Sequence, residues 1–318
     1  MSIIDVNERI KLIDLFDLGI SERTGSFVIL EDSITLIETS ASPSIPYLKQ
    51  GLKELNIELD QIKFIILTHI HLDHGGGVGL FLQDCPNAKV VVHPKAAKHL
   101  ADPSKLEMGA RAVYGNQFDQ LFKPILPVPK ERIMVKNDGE TLQIGKNTCL
   151  TFYDTPGHAR HHFSIYDPVS NGMFTGDTAG IYYWMLKELG IDLYLPTTSP
   201  NQFNPTEMLH SIKLYREKSL NYLYFGHFGY TKQVEFALNE VERWIEFFVD
   251  CGRKGYFYSE MDEERIEYTY IRLKEGIINE LFKQQVPKEH KIFKVIDLDL
   301  KVCSMGLIDY WKKEVTNR

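Results

Sequence analysis

The sequence predicts an α/β protein with a helical C-terminal region, and three observations carry that expectation. Short apolar runs rich in Val, Ile and Phe dominate the first two thirds of the 318 residues. Amphipathic helical patterns lie between some of these runs and take over from residue 232 onward. Histidines and aspartates stand directly after several of the runs, at the strand ends where α/β sheets build ligand sites.

In order, the predicted strands cover 10–17, 26–30, 34–39, 63–68, 89–93, 149–154, 163–166, 172–175 and 221–225. Most are apolar nearly throughout, the pattern of strands covered on both faces. A helix is expected over 43–55, where Leu48, Leu52 and Leu55 recur at helical spacing. Asn204-Pro205-Thr206-Glu207 reads as a helix start. Asn caps it, Pro takes the first helical position, and Glu lies three residues after the cap. Met208, Leu209, Ile212 and Tyr215 then share one apolar face. Residues 234–249 place Val234, Phe236, Leu238, Val241, Trp244, Ile245, Phe248 and Val249 on an amphipathic helix, and 262–283 and 300–315 also read as helical. The stretch 100–130, punctuated by Gly115, Pro124, Pro127 and Pro129, reads as a long loop over the sheet. The expected division is a domain of residues 1–231 followed by a helical extension of 232–318.

Composition narrows the class. Hydrophobic residues make up 43% and charged residues 25%, which excludes disordered and fibrous chains. The formal charge of -7 argues against a dedicated nucleic-acid binder, so no nucleic-acid partner is expected. Cys85, Cys149, Cys251 and Cys303 show no C-x-x-C spacing and suggest neither a zinc knuckle nor a disulfide scaffold. The start, MSIIDVNERIKLIDLF, lacks a basic region followed by an apolar one and does not read as a signal peptide. Apolar runs such as Phe64 to Leu67 are far shorter than the ~20 residues of a membrane helix. A cytoplasmic protein without a membrane partner is the expectation.

One segment carries the chemistry: Thr68-His69-Ile70-His71-Leu72-Asp73-His74, followed by Gly75, Gly76 and Gly77. His69 and His71, two apart, converge only from a turn or strand end, because ligands on a helix face sit three or four apart. The glycines let the backbone turn closely and open a helix behind the site. Pro156-Gly157-His158, Gly176-Asp177 and Gly226-His227 each follow a further apolar strand.

HxHxDH, PGH, GD and GH, in this order over roughly residues 10–230, resemble the metallo-β-lactamase superfamily. The style is closest to its glyoxalase II-like thioesterases and lactonases. The resemblance implies a four-layer αββα sandwich, with two mixed sheets face to face, helices outside and metals at one rim. It implies two divalent metal ions as cofactors, zinc first, with iron or manganese as alternatives. His69, His71 and His158 would hold one ion, Asp73, His74 and His227 the other, and Asp177 would bridge both. All seven positions carry the expected residue types. Five neutral histidines and two aspartates contribute about -2 against +4 from two divalent ions, and a hydroxide brings the sum to about +1, a centre that acidifies water. The implied activity is hydrolysis of an ester-like bond (lactone, thioester or carboxylic ester) in a small-molecule substrate by a metal-bridging hydroxide. Asp73 would orient that nucleophile and pass a proton to the leaving group.

Several neighbours are weighed beside this set. Glu38 stands where the family often places an aspartate that supports the HxHxDH loop. His161 and His162 follow His158 closely, and His162 is a candidate partner of the ligands or of the pocket. Tyr182, Tyr183 and Trp184 could line the pocket, though such a cluster is as often core. Arg111 and Tyr114 could meet an anionic substrate. His93, His99, His210 and His290 read as ordinary residues, and Asp262-Glu263-Glu264-Arg265 as a solvated helix start.

Other functions of the same fold define the alternatives. A persulfide dioxygenase-like oxidoreductase would use one iron and a subset of these ligands. A flavodiiron protein would carry glutamate at the second motif histidine, which is His71 here, and a flavodoxin-like domain. A phosphodiesterase or nuclease would need a basic clamp. A binding protein on a dead fold would have lost ligands. β-Lactam hydrolysis is not expected without a secretion signal. The apolar face of 234–249 packs either on the core or on a second subunit, which leaves a homodimer open.

Overall fold

The computed structural model describes residues 3–316. The chain divides into two compact units. The first holds the chain up to Thr155, His161–Gly176 and Ser219–Val234; the second holds Pro156–Arg160, Asp177–Lys218 and the chain from Glu235.

Two mixed sheets build the first unit. One runs in sequence order through β1 (Ile3–Asp5), β2 (Ile10–Asp14), β3 (Gly25–Ile29), β4 (Ile34–Ile37), β5 (Ile62–Ile66), β6 (Lys89–Val92) and β7 (Ile133–Val135). Pairing is antiparallel up to β4 and parallel from β4 to β7. Each parallel step needs a crossover, and helices supply them. α1 (Ile45–Glu54) links β4 to β5. α2 (Leu72–Gly75) and α3 (Val78–Leu82) link β5 to β6. α4 (Pro94–Ala101), α5 (Ser104–Tyr114) and α6 (Phe118–Phe122) link β6 to β7. Leu48 and Leu52 of α1, Val78 and Phe81 of α3, and Ile65 and Val90 of the sheet share one buried cluster.

The second sheet begins with β8 (Thr141–Gly145), β9 (Thr148–Asp154), β10 (Phe163–Asp167) and β11 (Gly172–Gly176), all antiparallel. The chain then passes through β12 (Ile181–Tyr182), β13 (Tyr194–Leu195) and α7 (Pro205–Glu217). It returns as β14 (Tyr222–Phe225), parallel to β11, and β15 (Tyr230–Thr231). The two sheets face each other. Phe27 of β3 meets Phe174 of β11 edge-on at 5.2 Å and Tyr224 of β14 at 5.5 Å. This packing buries the apolar inner faces of both sheets.

In the second unit β12 pairs antiparallel with β13. α7 is followed, after the return strands, by α8 (Val234–Tyr256), α9 (Asp262–Lys283) and α10 (Ile292–Thr316). Asn204 caps α7 as its sequence predicts, its side chain accepting from the Glu207 N–H at 3.1 Å. Among the described residues no helix is long and apolar enough to cross a membrane.

Every predicted strand forms, and three readings need correction. The 100–130 stretch is mostly helical, not a loop. Three of its Pro and Gly residues sit at helix ends: Pro103 precedes α5, Gly115 ends it, and Pro124 follows α6. Phe118 and Phe122 are buried against Ala41 and Leu72, with Leu106, Ala110 and Tyr114 packed beside them. Gly77 is required for close approach rather than for a turn. A Cβ there would stand 3.0 Å from the Ala41 carbonyl. Arg265 is not solvated: it is buried, lies 4.3 Å over the Tyr256 ring and donates to the Ser259 carbonyl.

Candidate metal centre

The centre starts from the apolar strand β5, which ends in mid-protein and hands the chain to a polar loop. His71 keeps extended backbone (φ -61, ψ 151) immediately before the single helical turn α2. His69 and His71 therefore leave the extended chain, and Asp73 and His74 leave the turn. The imidazole rings gather closely: His69 lies 4.6 Å from His71 and 4.1 Å from His74, centroid to centroid. His227, just past β14, brings its ring 5.3 Å from that of His74. Asp73, His74 and His227 form a group whose ligand atoms all lie within 4.8 Å of one another. The Asp73 carboxylate is 3.8 Å from Nε2 of both His74 and His227. His69 and His74 are fully buried, whereas the Asp73 side chain keeps 22% of its surface open.

The loop is fixed from the end of β4. Glu38 sits in left-handed backbone (φ 71) and is buried. Its carboxylate accepts from the Thr68 N–H at 2.9 Å and faces His74 Nδ1 at 3.6 Å. A carboxylate behind a histidine orients the ring and makes its other nitrogen a better donor to a cation. Thr39 and Gly77 tie the loop at the backbone, Thr39 N to the His74 carbonyl at 3.0 Å and Gly77 N to the Ser40 carbonyl at 2.8 Å. Thr68 Oγ1 lies 3.1 Å from His69 Nδ1.

The remaining two ligand candidates belong to the second unit. His158 and Asp177 are both buried, with His158 Nε2 3.5 Å from Asp177 Oδ2. His158 Nδ1 meets the Thr197 carbonyl at 3.2 Å.

Of the neighbours, His162 is buried beside His69, with ring centroids 5.1 Å apart and its Nδ1 3.0 Å from Thr155 Oγ1. His161 stands 5.4 Å from the His71 ring. Tyr182 is packed in the second unit, stacked on Tyr194 at 4.5 Å and bonded to Asp192. Tyr183 donates to Asp299 at 3.0 Å, also buried. Arg111 lies on the exposed side of α5, paired with Asp119 at 2.6 Å and over the Phe118 ring. His93 caps α4 by accepting from the Lys95 N–H at 3.1 Å and pairs with Asp154 at 3.2 Å.

Sequence reasoning missed Asp17 and Arg23, a buried ion pair at 3.1 Å in the β2–β3 connection. Burial pushes the Asp17 carboxyl from 3.8 up to about 6. Arg23 holds it down, Asp73 adds to the rise, and His227 and His74 hold it down again. The charges of the cluster thus reach Asp17. No local motif marks the pair, since sheet pairing alone brings it there. The cysteines stay outside the chemistry: burial pushes the Cys85 and Cys303 thiols up to about 12 and Cys251 up to about 11.

Burying several imidazoles and carboxylates together is costly unless something compensates them. Nitrogen and oxygen donors of this kind fit a divalent cation of the zinc, iron or manganese class.

Known proteins share the fold. The family model described as the metallo-beta-lactamase superfamily matches residues 23–227, more than half of the chain. A metallo-beta-lactamase fold-containing protein of Sulfurisphaera tokodaii is 32% identical over 145 residues, 45% of this chain and 51% of that protein. Its solved structure, described under Sulfolobus tokodaii, superposes with a TM-score of 0.62 at 20% identity, covering 96% of this chain and 99% of that one. A diflavin flavoprotein of Synechocystis is 27% identical over 57% of this chain and 28% of its own. A hydroxyacylglutathione hydrolase of Legionella pneumophila is 26% identical over 37% of this chain and 34% of its own. The matches thus span about half the length or less of these curated relatives. A model match across both sheets and the His/Asp cluster identifies the chain as a member of the metallo-beta-lactamase superfamily.

Proposed function

We propose that the protein is a metal-dependent hydrolase that cleaves an ester-like bond (lactone, thioester or carboxylic ester) of a small substrate at a dinuclear centre. The observation that carries this reading is the close Asp73–His74–His227 group beside His69 and His71. His69, His71 and His158 would hold one ion, Asp73, His74 and His227 the second, and Asp177 would bridge. When bound, divalent ions supply Lewis acidity toward a carbonyl oxygen and a water acidic enough to attack at neutral pH.

The chain's own residues do the rest. Glu38 and Thr68 orient His74 and His69. Asp73 keeps 22% of its side-chain surface open to solvent. Its carboxylate accepts a proton from the attacking water and returns it to the leaving group. Similarity to the hydroxyacylglutathione hydrolase supports testing a hydroxyacylglutathione among the substrates.

Metal analysis of the protein purified without added metal, with a panel of thioester, lactone, phosphodiester and persulfide substrates, tests this. About two ions per chain and turnover of an ester-like substrate are expected. Asp177→Ala should lose most activity and bind about one ion or none. Full activity in that variant would sink the assignment. A second reading, an iron-dependent oxidoreductase, draws on the match to the diflavin flavoprotein. His71 in place of the flavodiiron glutamate weighs against the flavodiiron form. About one iron per chain with oxygen uptake on persulfide would select the oxidoreductase.

A further inference from the structure

We infer that the C-terminal helix α10 is the brace that positions His158 as a metal ligand, acting through the strip of residues 197–201. This rests on the metal-binding reading above.

His158 is held by that strip and its continuation. The Thr197 carbonyl lies 3.2 Å from His158 Nδ1. A carbonyl only accepts, so Nδ1 carries the proton, and in the neutral ring Nε2, which faces Asp177 Oδ2 at 3.5 Å, keeps its lone pair. That is the tautomer an Nε2-ligating histidine needs, and a partner on the far nitrogen is what fixes it. The Ser199 hydroxyl donates to the His158 carbonyl at 3.0 Å. Gln202 Oε1 accepts from the Arg160 N–H at 2.8 Å, and the Asn204 N–H donates to the Gly157 carbonyl at 2.8 Å.

The strip has little structure of its own, since residues 196–199 belong to neither helix nor strand. Its anchors are on α10. Thr198 Oγ1 donates to the Cys303 carbonyl at 2.8 Å. The Asn201 N–H donates to Asp309 at 3.1 Å, and Lys313 Nζ donates to the Asn201 carbonyl at 2.9 Å. Cys303, Gly306, Asp309 and Lys313 recur every three or four residues and so share one face of the helix. Gly306 is where the backbones touch: a Cβ there would collide with the Thr198 carbonyl. The helix therefore fixes the strip, and the strip fixes both the tautomer and the place of His158. Thr198 and its α10 partners are positioning residues. None of them belongs to the His/Asp groups that could hold an ion.

Thr198→Val removes the anchoring hydroxyl at nearly constant shape. In the full-length protein, competition with a chromophoric chelator should show one of two zinc sites weakened about tenfold or more, the range for lost partners behind a ligand. Nitrogen-15 NMR of the metal-free protein should show His158 protonated at Nδ1 in the wild type and a tautomer mixture in the variant. Thr198→Ser should restore both. Lys313→Ala, at the exposed end of the same anchor, should shift both readouts in the same direction by less, and it decides the matter if Thr198→Val does not fold. Unchanged zinc affinity and an unchanged His158 tautomer in the folded variant would overturn the inference. A wild type that takes up no zinc, iron or manganese would overturn the reading of the centre itself, and that outcome is read without any mutation.

Discussion

At the scale of single residues, buried carboxylates decide how the cluster is tolerated. Glu38 has a backbone N–H and an imidazole to answer it, but Asp17 is answered mainly by Arg23. Burial first, then the charge of Asp73, push the Asp17 carboxyl up to about 6, against the opposing pull of Arg23, His227 and His74. The folded protein then binds more protons than the unfolded chain between about pH 4 and about pH 6. Stability from this group is therefore fully present below its unfolded value and lost as pH rises through about 6. Two pKa units correspond to about 3 kcal/mol, an order of magnitude for a site this buried. Asp17→Asn does not titrate, while the neighbouring Arg23, Asp73, His74 and His227 are common to both proteins. Urea unfolding of the metal-free forms should show the variant gaining on the wild type as pH rises from about 4 to about 7, by up to about 3 kcal/mol. A gap that does not change with pH would contradict the assignment of Asp17 as the titrating group.

At the scale of elements, local signals were legible and tertiary ones were not. The α7 start is written in four consecutive residues, because a cap acts on the turn that follows it. Asn204→Ala should cost about 1 kcal/mol and lower the Tm by roughly 2–4 °C, with Asn204→Asp recovering most of the loss. Calorimetry checks this, and an unchanged Tm in the alanine variant would show that the cap bond does not hold α7. The HxHxDH cluster was equally legible as a candidate, since its four side chains lie within six residues of one loop. The arrangement of α4, α5 and α6 was not. Its apolar residues are few per helix and pack on Ala41 and Leu72 from a distant part of the chain, so Pro and Gly dominate the local pattern. The role of α10 was hidden for a similar reason. Thr198, Cys303 and Gly306 carry no motif, and only the folded chain brings them together.

At the scale of the whole molecule, the two-sheet core depends on more than apolar burial. Phe27, Phe174 and Tyr224 interlock across the sheets, but such contacts are non-directional and tolerate sliding. Register between the sheets matters here because ligand loops leave both: His69 follows β5, and His227 follows β14. A directional tie exists away from the ligand loops. Arg9, in the β1–β2 turn, donates two hydrogen bonds to Asp167 of β10, at 2.9 and 3.1 Å, and a third to Glu31. The Asp167 side chain is fully buried, and it also accepts from the backbone N–H and the hydroxyl of Ser170. A fork of this kind fixes angle as well as distance. Removing one partner of a buried pair leaves an uncompensated charge, so Arg9→Ala should lose about 3–5 kcal/mol, while a double replacement by apolar residues should lose much less. Chemical denaturation of the two single variants and the double variant in one cycle measures the coupling. If the tie also sets register, Arg9→Ala should weaken metal binding at the Asp73–His74–His227 group although Arg9 touches none of its members, and the double apolar variant should not restore that affinity even where it restores stability. Recovery of both together would mean that packing alone aligns the sheets.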